Sequence, residues 1–290
     1  MAQPSHRPPS PKTTNPSPLA VVTGATGGLG KEIVRGLLAA GMWVIAGVRN
    51  PARGAALERE LAVGLGSGRL EILPLDVADM QSVREFADAI ASRHETLTLL
   101  VNNAGAWFND RAAKNGHELT LATNVLGPYL LTQRLLPLLQ ASGRARIVNV
   151  VSSAVGDFDV SDLNWLKRKY DAFRAYRQSK QALQMVTLSF ALKLAGTGVV
   201  ANAASPGFVK TSFLKDAKGL VAVALRAISF LAVTPAKGAE TPLMVALSPD
   251  LSAVSGRLYD GGKEKAQLAY DHQEIERLVR RLDEMTASRS

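Results

Sequence analysis

The chain contains no cysteine, which excludes disulfides, thiolate zinc sites, iron–sulfur clusters and thiol nucleophiles. Histidine is scarce: His6, His94, His117 and His272 are scattered and form no spaced ligand set, so no metal is expected. Long apolar runs are also missing. The most hydrophobic stretch, 220–233, is interrupted by Arg226 and Ser229, and a membrane helix needs roughly 18 or more uninterrupted apolar residues. No membrane span is expected, and the cytoplasm is the default location. No GxSxG elbow occurs, which weighs against a hydrolase.

What is present points to a folded α/β chain. Of 290 residues 47% are hydrophobic, which rules out overall disorder. Lys and Arg number 34 against 25 Asp and Glu, a formal +9 that admits an anionic partner: nucleic acid, a membrane surface or a phosphorylated cofactor. Six of the 14 prolines fall in residues 1–18, which read as a disordered tail. From residue 19 short apolar runs (Leu19–Thr23, Trp43–Val48, 70–75, 97–101, Ala145–Val150, 198–204 and, weakly, 256–259) alternate with helical patterns such as Val83, Phe86 and Ile90. Asn50-Pro51 and Thr234-Pro235 mark helix starts. This alternation predicts one domain over 19–262, a Rossmann-type doubly wound parallel sheet of about seven strands, with a C-terminal helical extension over 263–290. Such sheets bind ligands at the carboxyl ends of their strands.

Thr23-Gly24-Ala25-Thr26-Gly27-Gly28-Leu29-Gly30 joins the first strand to the first helix. Glycines there permit a tight turn and let the backbone approach a pyrophosphate resting on the helix N-terminus. The end of the second strand carries Arg49 rather than the carboxylate that would hold an unphosphorylated ribose. A carboxylate repels a 2′-phosphate, whereas a guanidinium binds it in a forked, charge-assisted geometry, so NADP(H) is the predicted cofactor.

The TGxxxGxG spacing resembles the short-chain dehydrogenase/reductase family. The likeness continues in order through Leu75-Asp76-Val77, Asn102-Asn103-Ala104-Gly105, Asn124 in NVLG, Ser152, Tyr176 four residues before Lys180, and Pro206-Gly207-Phe208-Val209-Lys210-Thr211. It implies cofactor contacts at Thr23, Gly24, Gly28, Leu29, Gly30, Arg49, Asp76, Val77, Asn103, Ala104, Gly105, Tyr176, Lys180, Pro206, Gly207, Val209 and Thr211. It implies catalysis by Asn124, Ser152, Tyr176 and Lys180. Free tyrosine has a pKa of about 10, and a nearby cation lowers it toward useful acid/base behaviour. In that scheme Tyr176 is the acid/base, Lys180 tunes it and holds the nicotinamide ribose, Ser152 orients the substrate oxygen, and Asn124 holds a water-linked proton route. Ser153 is the alternative orienting serine. Tyr170 has no lysine four residues on.

Tyr176 follows Ser152 by 24 positions, a longer interval than in many compact family members. The extra segment 156–165, with Ala46-Gly47-Val48-Arg49-Asn50, resembles the retinol-dehydrogenase-like group and implies a lipophilic or polycyclic carbonyl or alcohol. Residues 212–233 read equally as an apolar lid or as a helix on its own core. Trp107, Phe108, Phe158 and Trp165 are candidate aromatic walls. An NADP-binding protein with a regulatory or non-redox role is the other reading, since fold and function separate readily. No nucleic-acid partner is expected, because the basic run Lys167-Arg168-Lys169 lacks interleaved stacking residues. By resemblance alone, a homodimer or homotetramer would pair through helices beginning near Asn115 and Asp171.

Overall fold

The structure, a computed structural model, describes residues 17–62, 67–209, 232–266 and 270–287. Its main sheet holds β1 (Leu19–Thr23), β2 (Trp43–Val48), β3 (Arg69–Pro74), β4 (Leu99–Asn102), β7 (Ala145–Val150), β8 (Val199–Ser205), β9 (Leu258–Asp260) and β10 (Lys263–Lys265). A small antiparallel hairpin, β5 (Ala113–Lys114) and β6 (His117–Glu118), stands apart from it. The spatial order is β3-β2-β1-β4-β7-β8-β9-β10, so the winding reverses between β1 and β4 and opens a crevice there.

Every pairing in the main sheet is parallel except that of β9 with β10. The expected seven parallel strands are therefore joined by an eighth, antiparallel edge strand. Its sequence, Lys263-Glu264-Lys265, is wholly exposed and carries no apolar period. The sheet thus runs past the boundary expected at residue 262. At the other end Pro18, assigned to the tail, already accepts a hydrogen bond from the Trp43 amide.

Successive strand residues point to opposite faces, and both faces are covered by helices. On one face Val21, Ile45, Leu100 and Ile147 pack with residues of α3 (Met80–Ala91), α5 (Gly127–Ala141) and α6 (Ala172–Lys193). On the other Val22, Val44, Val101 and Val148 pack with residues of α1 (Gly28–Ala39), α2 (Pro51–Leu61) and α7 (Pro235–Leu247). The remaining described α-helices are the single turn α4 (Leu119–Leu121) and the terminal α8 (His272–Thr286).

Helix α8 carries Ile275, Leu278 and Leu282 on one buried stripe, each such side chain contributing roughly 1.5–3 kcal/mol by leaving water. Polar ties fix its axial position. Tyr129 and Gln133 of α5 both donate to the Asp283 carboxylate, at 2.7 and 2.9 Å. Helix α8 also packs against α6. The helix expected near Asn115 begins four residues later, at Leu119, because Asn115 sits at the β5–β6 turn with φ 52°.

Candidate active site

The glycine turn lies at the carboxyl end of β1, stitched to the loop that leaves β4. Thr23 Oγ1 accepts the amides of Asn103 and Ala104 at 3.1 and 3.0 Å, while Asn103 Nδ2 donates to the carbonyls of Thr23 and Gly24. Gly24 adopts φ 65°, and a Cβ there would lie 2.8 Å from the Ala104 Cα. A Cβ on Gly30 would overlap the Gly24 carbonyl oxygen. The N-cap of α1 is Gly27, with no side chain capping the first turn. The turn is thus a side-chain-free cradle over the positive end of a helix, which fits a dinucleotide pyrophosphate. Leu29 begins α1 beside Gly28 and is partly buried against the α1–α7 side of the core.

Arg49 follows β2, is exposed, and has no hydrogen-bond or ion-pair partner among the described residues. Lys31, the nearby cation, is committed to Glu60 at 2.8 Å. After β3, Asp76 uses Oδ1 to accept the Ala78 amide and Oδ2 to accept Lys114 Nζ at 2.8 Å. Lys114 also reaches Asp79 at 3.1 Å, tying the β5–β6 hairpin to this end of the crevice. The hydrogen bond to Asp76 holds the Lys114 ammonium above its ordinary pKa. Val77 is buried, and its carbonyl lies where a Cβ on Gly127 would sit, so α5 can approach only because residue 127 is glycine.

Asn124 lies in a π-helical turn, Ala122–Leu126, between α4 and α5. Its side chain turns toward the β4 loop, accepting the Ala106 amide at 2.7 Å and donating to the Ala106 carbonyl at 2.9 Å. It also donates to Ser179 Oγ at 2.9 Å, and Ser179 in turn donates to the Tyr176 carbonyl at 2.7 Å. Asn124 therefore joins the NNAG loop to the tyrosine helix.

Ser152 lies just beyond β7, accepts the Ala154 amide on Oγ at 3.1 Å, and is hydrogen-bonded to the Tyr176 hydroxyl. Ser153 is exposed, so the serine brought to Tyr176 is Ser152. Tyr176 and Lys180 share one face of α6. The Lys180 ammonium donates to the Val150 carbonyl at 2.9 Å and stands 5.8 Å from the Tyr176 ring centre. Gly105 leaves the space above it: a Cβ there would come within 3.3 Å of Lys180 Nζ.

Burial governs both titrating groups. It raises the Tyr176 pKa, an effect opposed by the Ser152 hydrogen bond. It pulls Lys180 down to about 8. The Ser152 hydrogen bond is a contact that favours the phenolate. Tyr170 braces the loop after NNAG instead, its hydroxyl bonding the Phe108 carbonyl at 2.9 Å and Glu118 at 3.2 Å.

The segment 156–170 packs on the start of α6. Asp157 accepts Arg174 and Arg177, each at 2.8 Å, and Arg177 also caps the Val155 carbonyl. Buried Asp162 accepts the amides of Leu166, Lys167 and Arg168, while the Arg168 guanidinium lies 4.1 Å from the Trp165 ring centre. Trp165 is therefore buried structure rather than a pocket wall. Trp107 does flank the site, its ring 6.0 Å from that of Tyr176 and 5.7 Å from that of Phe173.

On the far side Pro206 and Gly207 follow β8, Gly207 with φ 72°. Val209 is buried and bridges Val233 in parallel. Thr211 and residues 212–231 of the expected lid lie outside the described residues. The sequence reading missed Ser179 and Gln184, both buried on α6; their spacing from Tyr176 is the signal that marks them.

The chain is similar to known proteins over most of its length. A family profile described as short chain dehydrogenase matches residues 18–219. Polyprenol dehydrogenase of Mus musculus is 38% identical over 252 residues, covering 83% of this chain and 75% of that one. Retinol dehydrogenase 13 of Homo sapiens is 34% identical over 279 residues, covering 93% and 84%. Among solved structures, the NADPH-bound carbonyl reductase from chicken fatty liver superposes with a TM-score of 0.67 at 29% identity, covering 87% of this chain and 99% of that one.

Proposed function

The chain belongs to the short-chain dehydrogenase/reductase family of oxidoreductases, and from that premise we propose that it transfers hydride between NADP(H) and the carbonyl or hydroxyl carbon of a lipophilic small molecule. The observation that carries the reading is the meeting of Ser152, Tyr176 and Lys180 at the carboxyl end of β7. NADP(H), when bound, supplies or accepts the hydride. The Gly24–Gly30 turn would hold its pyrophosphate and Asp76 and Val77 its adenine side. Arg49, exposed and uncommitted among the described residues, would take the 2′-phosphate.

In the reducing direction the Ser152 hydroxyl orients the carbonyl oxygen, and Tyr176 gives that oxygen its phenolic proton as the alcohol forms. Lys180, held by Val150, supplies the positive charge beside the phenolate left behind. The reverse reaction begins with Tyr176 taking the alcohol proton. Trp107 offers a flat apolar surface beside Tyr176, and polyprenol and retinol dehydrogenases among the relatives support a lipophilic substrate.

The proposed setting is the cytoplasm. Among the described residues no helix is long and apolar enough to cross a membrane. The proposed assembly is a homodimer or homotetramer; because α8 packs on α5 and α6, pairing on that side would be made through α8.

The test is loss of NADPH absorbance with a panel of aldehydes and ketones of rising chain length. Tyr176→Phe should retain NADPH binding while turnover falls about 10²–10⁴-fold, the usual contribution of a general acid. A phenylalanine variant that turns over at the wild-type rate would end this reading.

A further inference from the structure

Helix α6 grips the end of β7 with three side chains in a single row. Tyr176, Lys180 and Gln184 are spaced i, i+4, i+8 and share one face. Tyr176 bonds the Ser152 hydroxyl, Lys180 donates to the Val150 carbonyl at 2.9 Å, and Gln184 Nε2 donates to the Ser152 carbonyl at 3.0 Å. The regular sheet pairing ends just before this point. Val151 still donates to the Ala204 carbonyl at 3.0 Å, but the Ser152 carbonyl is held by Gln184.

Gln184 is itself held. It is 2% exposed, and its Oε1 accepts the Tyr270 hydroxyl at 2.8 Å. An amide can present either its oxygen or its nitrogen to a neighbour. A phenol donating to Oε1 fixes the oxygen on the Tyr270 side and so directs the N–H toward Ser152. Tyr270 comes from the C-terminal extension, immediately before α8, whose position is set by Asp283 on Tyr129 and Gln133. A continuous chain of hydrogen bonds thus runs from the extension to the backbone of the serine beside the acid/base tyrosine.

Resting on the oxidoreductase reading, we propose that Gln184 and Tyr270 are positioning residues for Ser152, and that the C-terminal extension is a working part of the active site. Neither touches substrate or cofactor in this role. They fix the Ser152 carbonyl, and through it the direction of the hydroxyl that meets Tyr176. Small misplacements of an orienting group are costly: about 1 Å can cost 10²-fold in rate.

The experiment uses the full chain and three variants, Tyr270→Phe, Gln184→Met and the double variant. Hydrogen–deuterium exchange of a peptide spanning 151–156 reads the Ala154 amide, which donates to Ser152 Oγ. It should exchange faster in each single variant, while the peptide over β7 stays protected. In the NADPH assay each single variant should lose about tenfold in kcat at near-constant KM for NADPH. The double variant should be no worse than Gln184→Met, because both act through one bond. Leu61→Ala, in the core on the opposite face of the sheet and away from Gln184 and Tyr270, serves as the stability reference and should lower Tm without lowering kcat at 25 °C.

Unaltered exchange at 151–156 overturns the linkage. Faster exchange with wild-type kcat overturns the positioning role, as does additivity in the double variant. A wild-type protein silent toward every carbonyl tested would sink the oxidoreductase reading instead, and the exchange result would still decide whether the extension holds Ser152.

Discussion

The Lys180 ammonium donates to the carbonyl of Val150 at 2.9 Å, the last residue of β7. One contact thereby joins the helix that carries Tyr176 to the strand end that precedes Ser152. Lys180 is almost fully buried and has no carboxylate partner among the described residues. Desolvation is the cause of its lowered pKa, and the carbonyl offsets only part of that cost.

This arrangement gives a pH-dependent stability difference. The Lys180 pKa falls from 10.5 to about 8 on folding, a burial penalty of about 3 kcal/mol. Below pH 8 both folded and unfolded chains hold the proton, so the penalty is complete. It shrinks as the folded protein deprotonates above pH 8 and vanishes above pH 10.5. Without cofactor, the urea stability of Lys180→Met should gain most on wild type below pH 8, with the gap narrowing toward pH 10.5. A gap constant with pH contradicts the assignment.

Arg49→Asp should reverse cofactor preference. Replacing the exposed guanidinium by a carboxylate removes the forked phosphate contact and adds repulsion. The ratio of kcat/KM for NADPH over NADH should fall by about 10²-fold, consistent with about 1.5–3 kcal/mol for a hydrogen bond to a charged group. An unchanged ratio removes Arg49 from this role.

Gly30→Ala tests the phosphate cradle. The new methyl would overlap the Gly24 carbonyl, a backbone atom that cannot swing aside as a side-chain tip can. Fluorescence titration should show NADPH affinity reduced more than tenfold, with thermal stability lowered by about 1–3 kcal/mol as for overpacking. Normal NADPH affinity would show that the turn does not approach the cofactor closely.

Asp162→Ala should loosen the segment 156–170. The carboxylate accepts three backbone amides and the Arg168 guanidinium, and losing it leaves buried donors unpaired at about 1–3 kcal/mol. Burial raises the Asp162 pKa, but these hydrogen bonds outweigh it and the net shift is downward. Its stabilisation is therefore complete above the ordinary 3.8 and is lost as pH falls through the lower folded value. Limited proteolysis should cut the variant within 156–170 at neutral pH, where wild type resists.

The fold was legible where local pattern and burial agree. Val21 and Val22 face opposite cores, so β1 reads as an apolar run, and the same holds for β2. β10 was not legible because its residues are charged and exposed, and its pairing depends on the turn from β9. Motif spacing brought Ser152, Tyr176, Lys180 and Asn124 into view. It could not show that Asn124 turns to Ala106 and Ser179, or that Gln184 meets Tyr270 across 86 positions, because those contacts are made by tertiary packing. Charge near the glycine turn is not by itself a phosphate contact: Lys31, next after Gly30, is claimed by Glu60 on a neighbouring helix.

The segment 156–170 is fastened by its own Asp157 and Asp162 and by Arg174 and Arg177 near the start of α6. The buried row formed by Tyr176, Lys180 and Gln184 lies on another set of side chains. The two sets of bonds use different side chains of α6, so a change in how 156–170 is fastened leaves the ties to the end of β7 in place.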